Sequence, residues 1–348
     1  MELTKLEEIT QPQLTEAYGE GDGDALWGGY MVARQRAVND ILPFIKQFEP
    51  NLTDHGQRHI QDVLDNAFAL LGDTVSSTTQ ASDGFNANEL YFLVLAILHH
   101  DLGNIHGRSD HNRRLEAIYE FTRGDDTSLL PEKRHLLTIV EAHCGQTRDG
   151  SRDTIGRLDK ASSFRRQLLN CQRVAAVLRF ADELAEGPQR TSLFMQKHFP
   201  LSQAGEVFHD YANITDVCID RAGERIVLTY DIDIQPPSWQ GAFNEVRLGK
   251  LLELCYARAV KLDLERKYNR HFCSLLAPFK KTEVSFHFYF QGQDIRLGIQ
   301  KIVLDDLVLP ASPDSLILIK KEQRLDLTWL MPRLREASAA PEILFEQT

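Results

Sequence analysis

Through the first half of the chain, apolar residues fall at helical spacing; strict alternation enters only later. Ala25–Phe44 carries such a pattern within a mixed, helical stretch over residues 1–50. Asn51–His55 reads as a turn into a helix, with Thr53 or Asp54 as N-cap. Ile60, Val63, Leu64, Ala67, Leu70 and Leu71 then stand at i, i+3, i+4, i+7 spacing, with Gly72 as the stop. Residues 73–87 are polar and read as a loop. Leu90–Leu98 is an unbroken apolar run, so the helix it predicts is buried on all sides, with Asn88 as its cap. Ser109 or Asp110 caps a further predicted helix bearing Leu115, Ile118, Tyr119 and Phe121. Pro131 opens another, with Leu136, Ile139, Val140 and His143 on one face. Cys144–Lys160 is a loop rich in glycine and basic residues. A helix is expected from about Ser162 to Ala185, closed by Gly187-Pro188.

The period changes beyond residue 190. Thr215–Ile219 and Arg225–Asp233 read as strands around the turn Arg221–Glu224. Phe243–Phe272 has helical periodicity, and Thr282–Gln291 alternates strictly, its aromatics serving strand packing. Asp294–Lys321 can add further strands, and the tail from about Pro332 is expected to be loose. The fold class is α+β: a mostly helical domain over residues 1–190, then a smaller α+β domain over 191–348.

With 50 acidic against 39 basic residues, the net charge is −11. That argues against long nucleic acid as a partner, which needs a basic footprint, while leaving room for a small phosphorylated ligand. No apolar run is long enough to span a bilayer. The five cysteines are scattered and the first residues lack the apolar core of a signal peptide, so a cytoplasmic protein with reduced thiols is expected. Oligomeric state is not encoded legibly.

The chemistry lies in where histidine and aspartate fall. The buried run ends in His100-Asp101, and a polar pair there is costly unless something satisfies it. His59, His111, His143 and Asp182 also sit at helix ends or on apolar faces, each on a different predicted helix. One such residue is usually a hydrogen-bonded core group; five segments in a row suit a metal site between facing helices. His55 can bond substrate, act as a general acid, or merely close a helix start. His99 points away from its neighbour and reads as packing or as a support behind the ligands. His106 and His135 read as surface or outer positions. His198, His209, His271 and His287 receive no role.

The segments HIQDVLDNAFALL, ILHHDLGN and RVAAVLRFADELAE, in that order over residues 50–187, resemble the HD superfamily of metal-dependent phosphohydrolases. DHGQRH further resembles the branch found in bacterial conflict and defence systems. The resemblance implies His59, His100, Asp101 and Asp182 on one ion. It implies Asp101, His111 and His143 on a second, since His111 and His143 match the two extra histidines of the two-metal subgroup. Mixed imidazole and carboxylate ligands suit Fe, Mn, Co, Ni or Zn. Two such ions activate a water to attack phosphorus and clamp the phosphoryl group, which makes Asp101 the central residue and a nucleotide or related small phosphoester the expected substrate. Arg108, Arg148 and Arg152 are the candidate phosphate contacts, followed by Arg113 and Arg157, although each alone reads more simply as a solvated charge. A single-strand nuclease and a non-catalytic nucleotide-sensing module are the alternatives.

Overall fold

The computed structural model describes residues 2–48, 53–75, 84–107, 114–147, 149–192, 201–239, 241–306 and 314–339. The chain forms two compact units. One comprises Met1–Ala185 with Tyr268–Pro278, and the other Glu186–Lys267 with Phe279–Thr348. The first is mostly helical and the second carries a mixed sheet with helices, as the change of period predicts. Among the described residues no helix is long and apolar enough to cross a membrane.

The first unit is built around α4 (Ala87–His99), whose thirteen residues are all buried. Full burial of each large apolar side chain contributes about 1.5–3 kcal/mol, so this helix anchors the unit. Its start is fixed by a capping box in which Asn86 accepts from the Glu89 amide and Glu89 reaches back. The cap is therefore Asn86. Asn88 instead lies inside the helix, donating to the Phe164 carbonyl at 2.8 Å. Packed with α4 are α1 (Lys5–Arg36), α3 (Gln57–Leu71), α6 (Leu130–Ala142) and α7 (Cys171–Glu183). The N-cap of α3 is Gly56, extended and without a side-chain bond, so neither Thr53 nor Asp54 caps it. Asp54 bonds the Gly56 amide instead, at 3.1 Å. Pro131 does open α6. The caps proposed at Ser109 and Asp110 lie outside the described residues; the helix Leu115–Arg123 (α5) follows Arg114.

The helix expected from Ser162 starts later. Residues 162–169 form a hairpin, β1 (Ser162–Phe164) against β2 (Gln167–Leu169), with Arg165 and Arg166 at φ 46° and 68° in its two-residue turn. Asn170 then caps α7 by accepting from the Arg173 amide at 3.1 Å. The preference of Asn for the cap and the ties from Asn88 to the hairpin outweigh helical continuation.

In the second unit, β3 (Thr215–Asp220) and β4 (Arg225–Asp233) form the expected antiparallel hairpin. After the long helix α9 (Glu245–Phe272; the helix Gln203–Ile214 is α8), β5 (Lys281–Phe290) pairs parallel with β4, Tyr230 beside Phe286. Short strands β6 (Gln293–Asp294) and β7 (Ile302–Leu304) flank β5. Leu248, Leu252, Tyr256 and Ala259 of α9 share a core with Leu228, Tyr230, Phe286 and Phe288 of the sheet. The segment expected to be loose after Pro332 is instead helical to Ala339 (α11, Leu327–Ala339), because Leu330 and Leu334 bury in that core; the rest of that segment lies outside the described residues. The short helix Ile317–Lys321 is α10.

Candidate metal centre

Three helices deliver the centre. His59 lies in the first turn of α3, on the face that buries Ile60 and Val63. His100 caps the C-terminus of α4, and Asp101 follows at φ −112°, ψ 0°, in the sparsely populated bridge region common at active sites. Asp182 stands in the last turn of α7. Asn66 of α3 donates to the Ala181 carbonyl at 3.1 Å and holds α3 to α7 beside Asp182.

The four side chains converge. His59 Nε2 lies 3.2 Å from His100 Nε2, 3.2 Å from Asp182 Oδ1 and 3.4 Å from Asp101 Oδ2. His100 Nε2 lies 3.4 Å from Asp101 Oδ2 and 3.5 Å from Asp182 Oδ1. All four atoms fall within 4.8 Å of one another. His100 Nδ1 lies 2.8 Å from the Ile97 carbonyl, so that nitrogen donates and Nε2 carries the lone pair. Two imidazole nitrogens and two carboxylate oxygens thus face one point with too few hydrogens between them. Bonds of about 2.0–2.1 Å to one central ion would set such atoms about 3.0–3.4 Å apart. His59, His100 and Asp101 are buried, while the Asp182 side chain is 28% exposed and leaves the centre open on that side. His59 Nδ1 is buried without a hydrogen-bond partner, so His59 is held by packing and by what its Nε2 faces.

The electrostatics agree with a cation site. Burial opposes protonation of His100, but Asp101 and then Asp182 outweigh it and hold its pKa well above the ordinary value. Burial would raise the Asp101 carboxyl; His100 and His55 hold it well below the carboxylate range. Asp182 is likewise depressed against burial, through His100 and His59. Without a metal, protons supply the positive charge that the carboxylates demand.

The remaining histidines sort by contact. His55 Nδ1 lies 2.7 Å from Asp101 Oδ2, so it touches the centre through a ligand oxygen. His143, the C-cap of α6, turns Nδ1 to the Val140 carbonyl, and its ring centroid lies 5.2 Å from that of His100. It adjoins the four-atom cluster without being part of it. His111, Arg108, Arg113 and Arg148 lie outside the described residues. Arg152 is exposed on the loop after α6, and Arg157 is paired with Asp149. His99 is buried against Thr122 and the Leu95 carbonyl, and burial lowers its pKa to about 4, consistent with packing. His106 is exposed, but His135 is not at the surface: it is buried edge-on to Phe92 because the aromatic side of α4 packs there.

Two neighbours escaped the sequence reading. Cys144 Sγ lies 3.7 Å from His143 Nδ1 and, against burial, helps raise that imidazole to about 9. Arg179 of α7 is buried and donates to Thr154 Oγ1 at 2.7 Å and to the Cys144 carbonyl at 3.2 Å, fixing the chain just after His143. An arginine amid the apolar residues of RVAAVLRF was the available signal.

No curated protein and no solved structure matches the chain. The HD-CE family model matches residues 49–248, more than half of the 348, taking in all four clustered residues and reaching past the β3–β4 hairpin to the start of α9. With that match and the His/His/Asp/Asp cluster together, the chain belongs to the HD-CE family of HD-domain proteins associated with conflict systems.

Proposed function

We propose that the protein is a metal-dependent phosphohydrolase acting on a nucleotide or a related small phosphorylated molecule. The observation that carries this reading is the convergence of four ligand atoms from His59, His100, Asp101 and Asp182 within 4.8 Å. These residues would hold one divalent transition-metal ion. Asp101 and His143, with His111, would hold a second. Such ions supply Lewis-acid stabilisation of a phosphoryl group and make water acidic enough to serve as nucleophile near neutral pH.

The chain's own residues have distinct tasks. The Ile97 carbonyl sets the tautomer of His100, and the Val140 carbonyl does so for His143, keeping Nε2 of each available. His55 orients Asp101 through its Nδ1, and its proposed role is to give a proton to a departing oxygen. Asp182, the most open of the four, marks the side on which substrate enters. Arg152, Arg108 and Arg148 are the proposed phosphate contacts, which act in binding more than in chemistry.

Phosphate release from a panel of nucleotides and short single-stranded oligonucleotides tests the reading. Metal-loaded wild type is expected to hydrolyse a member of the panel, and Asp101→Ala to lower that rate by several orders of magnitude. Equal rates for the two proteins would identify a contaminant. A metal-loaded wild type inert to the whole panel would contradict the proposal and favour the nucleotide-sensing module.

A further inference from the structure

A cleft of about 500 Å³ opens elsewhere in the first unit, and none of the four clustered residues lines it. Its walls come from the loop after α6 (Asp153 and Lys160), from α7 (Gln172), and from the end of α9 (Tyr268, His271 and Phe272). The volume is within the range that takes a small ligand, about 300–1,000 Å³. A buried layer backs it: Arg179 stacks on the Tyr268 ring at 4.7 Å while bonding Thr154 and Cys144.

The lining groups describe their ligand. Tyr268 and Phe272 are one helical turn apart, with ring centroids at 5.1 Å and planes 70° apart, so a planar group can stack on one ring and meet the other edge-on. Tyr268 is fixed by donating to Asp153 Oδ1 at 2.8 Å and accepting from the Ile155 amide at 2.9 Å. Lys160 is exposed and has no ion-pair partner among the described residues, in a chain of net charge −11. It is a point charge suited to phosphate. Asp153 uses Oδ1 for Tyr268 and the Gly156 amide, and Gln172 spends its amide nitrogen on the Leu158 and Gly156 carbonyls. Each therefore keeps an acceptor oxygen without a partner among the described residues. Acceptor oxygens on the lining suit a ligand that presents donors, as the N1–H and 2-amino groups of guanine do.

We propose that this cleft is a second ligand site that binds a guanine mononucleotide, its base stacked on one ring of the Tyr268–Phe272 pair and its phosphate on Lys160. The site does not depend on the proposed hydrolase activity, so it is tested with the full chain stripped of metal. Calorimetric titration with GMP is the measurement, with IMP, which lacks the 2-amino group, and inorganic phosphate as comparisons.

GMP is expected to bind, more tightly than IMP or phosphate, and equally well to the Asp101→Ala protein. Lys160→Glu should weaken binding about tenfold or more, through loss of a charge-assisted contact. Phe272→Ala should weaken it by a similar factor, because stacking of a base on an aromatic ring contributes about 1–3 kcal/mol. Lys160 is exposed, so Lys160→Glu leaves the fold intact, which circular dichroism verifies. Absence of GMP binding at millimolar concentration would overturn the proposal. So would binding that Lys160→Glu leaves unchanged, or binding lost in Asp101→Ala, which would place the nucleotide at the metal centre instead.

Discussion

At the scale of single residues, the candidate metal centre is a problem in satisfying acceptors. His59 Nε2 and His100 Nε2 lie 3.2 Å apart with two carboxylate oxygens beside them, an arrangement stable only around a positive charge. His59→Ala is therefore expected to abolish tight metal binding, while His143→Ala should remove one ion of two and leave the cluster loaded; elemental analysis of the purified proteins checks both. Protons compete for the same nitrogens. Asp101 and Asp182 raise the His100 pKa against burial, so the competing proton is held firmly, and falling pH favours the imidazolium. Metal affinity should drop steadily as pH falls, starting above the ordinary imidazole range of about 5 to 8 and continuing through it, because His100 is raised. A chelator competition across that range that showed no pH dependence would rule out histidine ligands. The four clustered residues were legible because each is a polar side chain on an otherwise buried helical face. The bond from His55 to Asp101 was not among the readings of His55, and Arg179 showed only as an arginine in an apolar stretch, without its partners. Both depend on the path of loops that no periodicity encodes.

At the scale of elements, the helices around α4 follow from apolar spacing, and the strand at residues 281–290 from alternation. The errors fell at boundaries where a polar side chain competes with the period. Asn170 caps α7 and frees residues 162–169 to pair, and Pro332 is absorbed within α11 because its neighbours are buried. The β1–β2 turn places two arginines at positive φ, where Asn-Gly is preferred. Arg165→Asn combined with Arg166→Gly should raise stability by about 1 kcal/mol, measured by chemical denaturation. On β5, Glu283 is buried among Lys301, Arg225 and Lys281. Burial would raise its pKa, but those cations hold it down at about 2. The folded-state value lies below the unfolded one, so this stability is present above the ordinary carboxylate range and is lost as pH falls through about 2. Glu283→Gln should cost about 1 kcal/mol at neutral pH, since its partners are open to solvent and screened. The difference from wild type should vanish in strong acid; a constant difference would show that packing, not charge, was lost.

At the scale of the whole molecule, the family match covers the helical centre and extends into the second unit as far as residue 248. The β3–β4 hairpin and the start of α9 are therefore part of the family's shared sequence. The net charge of −11 fits the proposed small substrate better than a long polyanion, which needs a basic footprint. The proposed activity rests on the cluster being a metal site. Metal content of wild type and Asp182→Ala, reconstituted with the same divalent ions and measured side by side, tests that most directly. Asp182 is the open member of the set, so its loss should remove a ligand while sparing the core. Wild type is expected to retain tightly bound transition metal and Asp182→Ala to lose an ion; equal retention by both, or none by wild type, would contradict it.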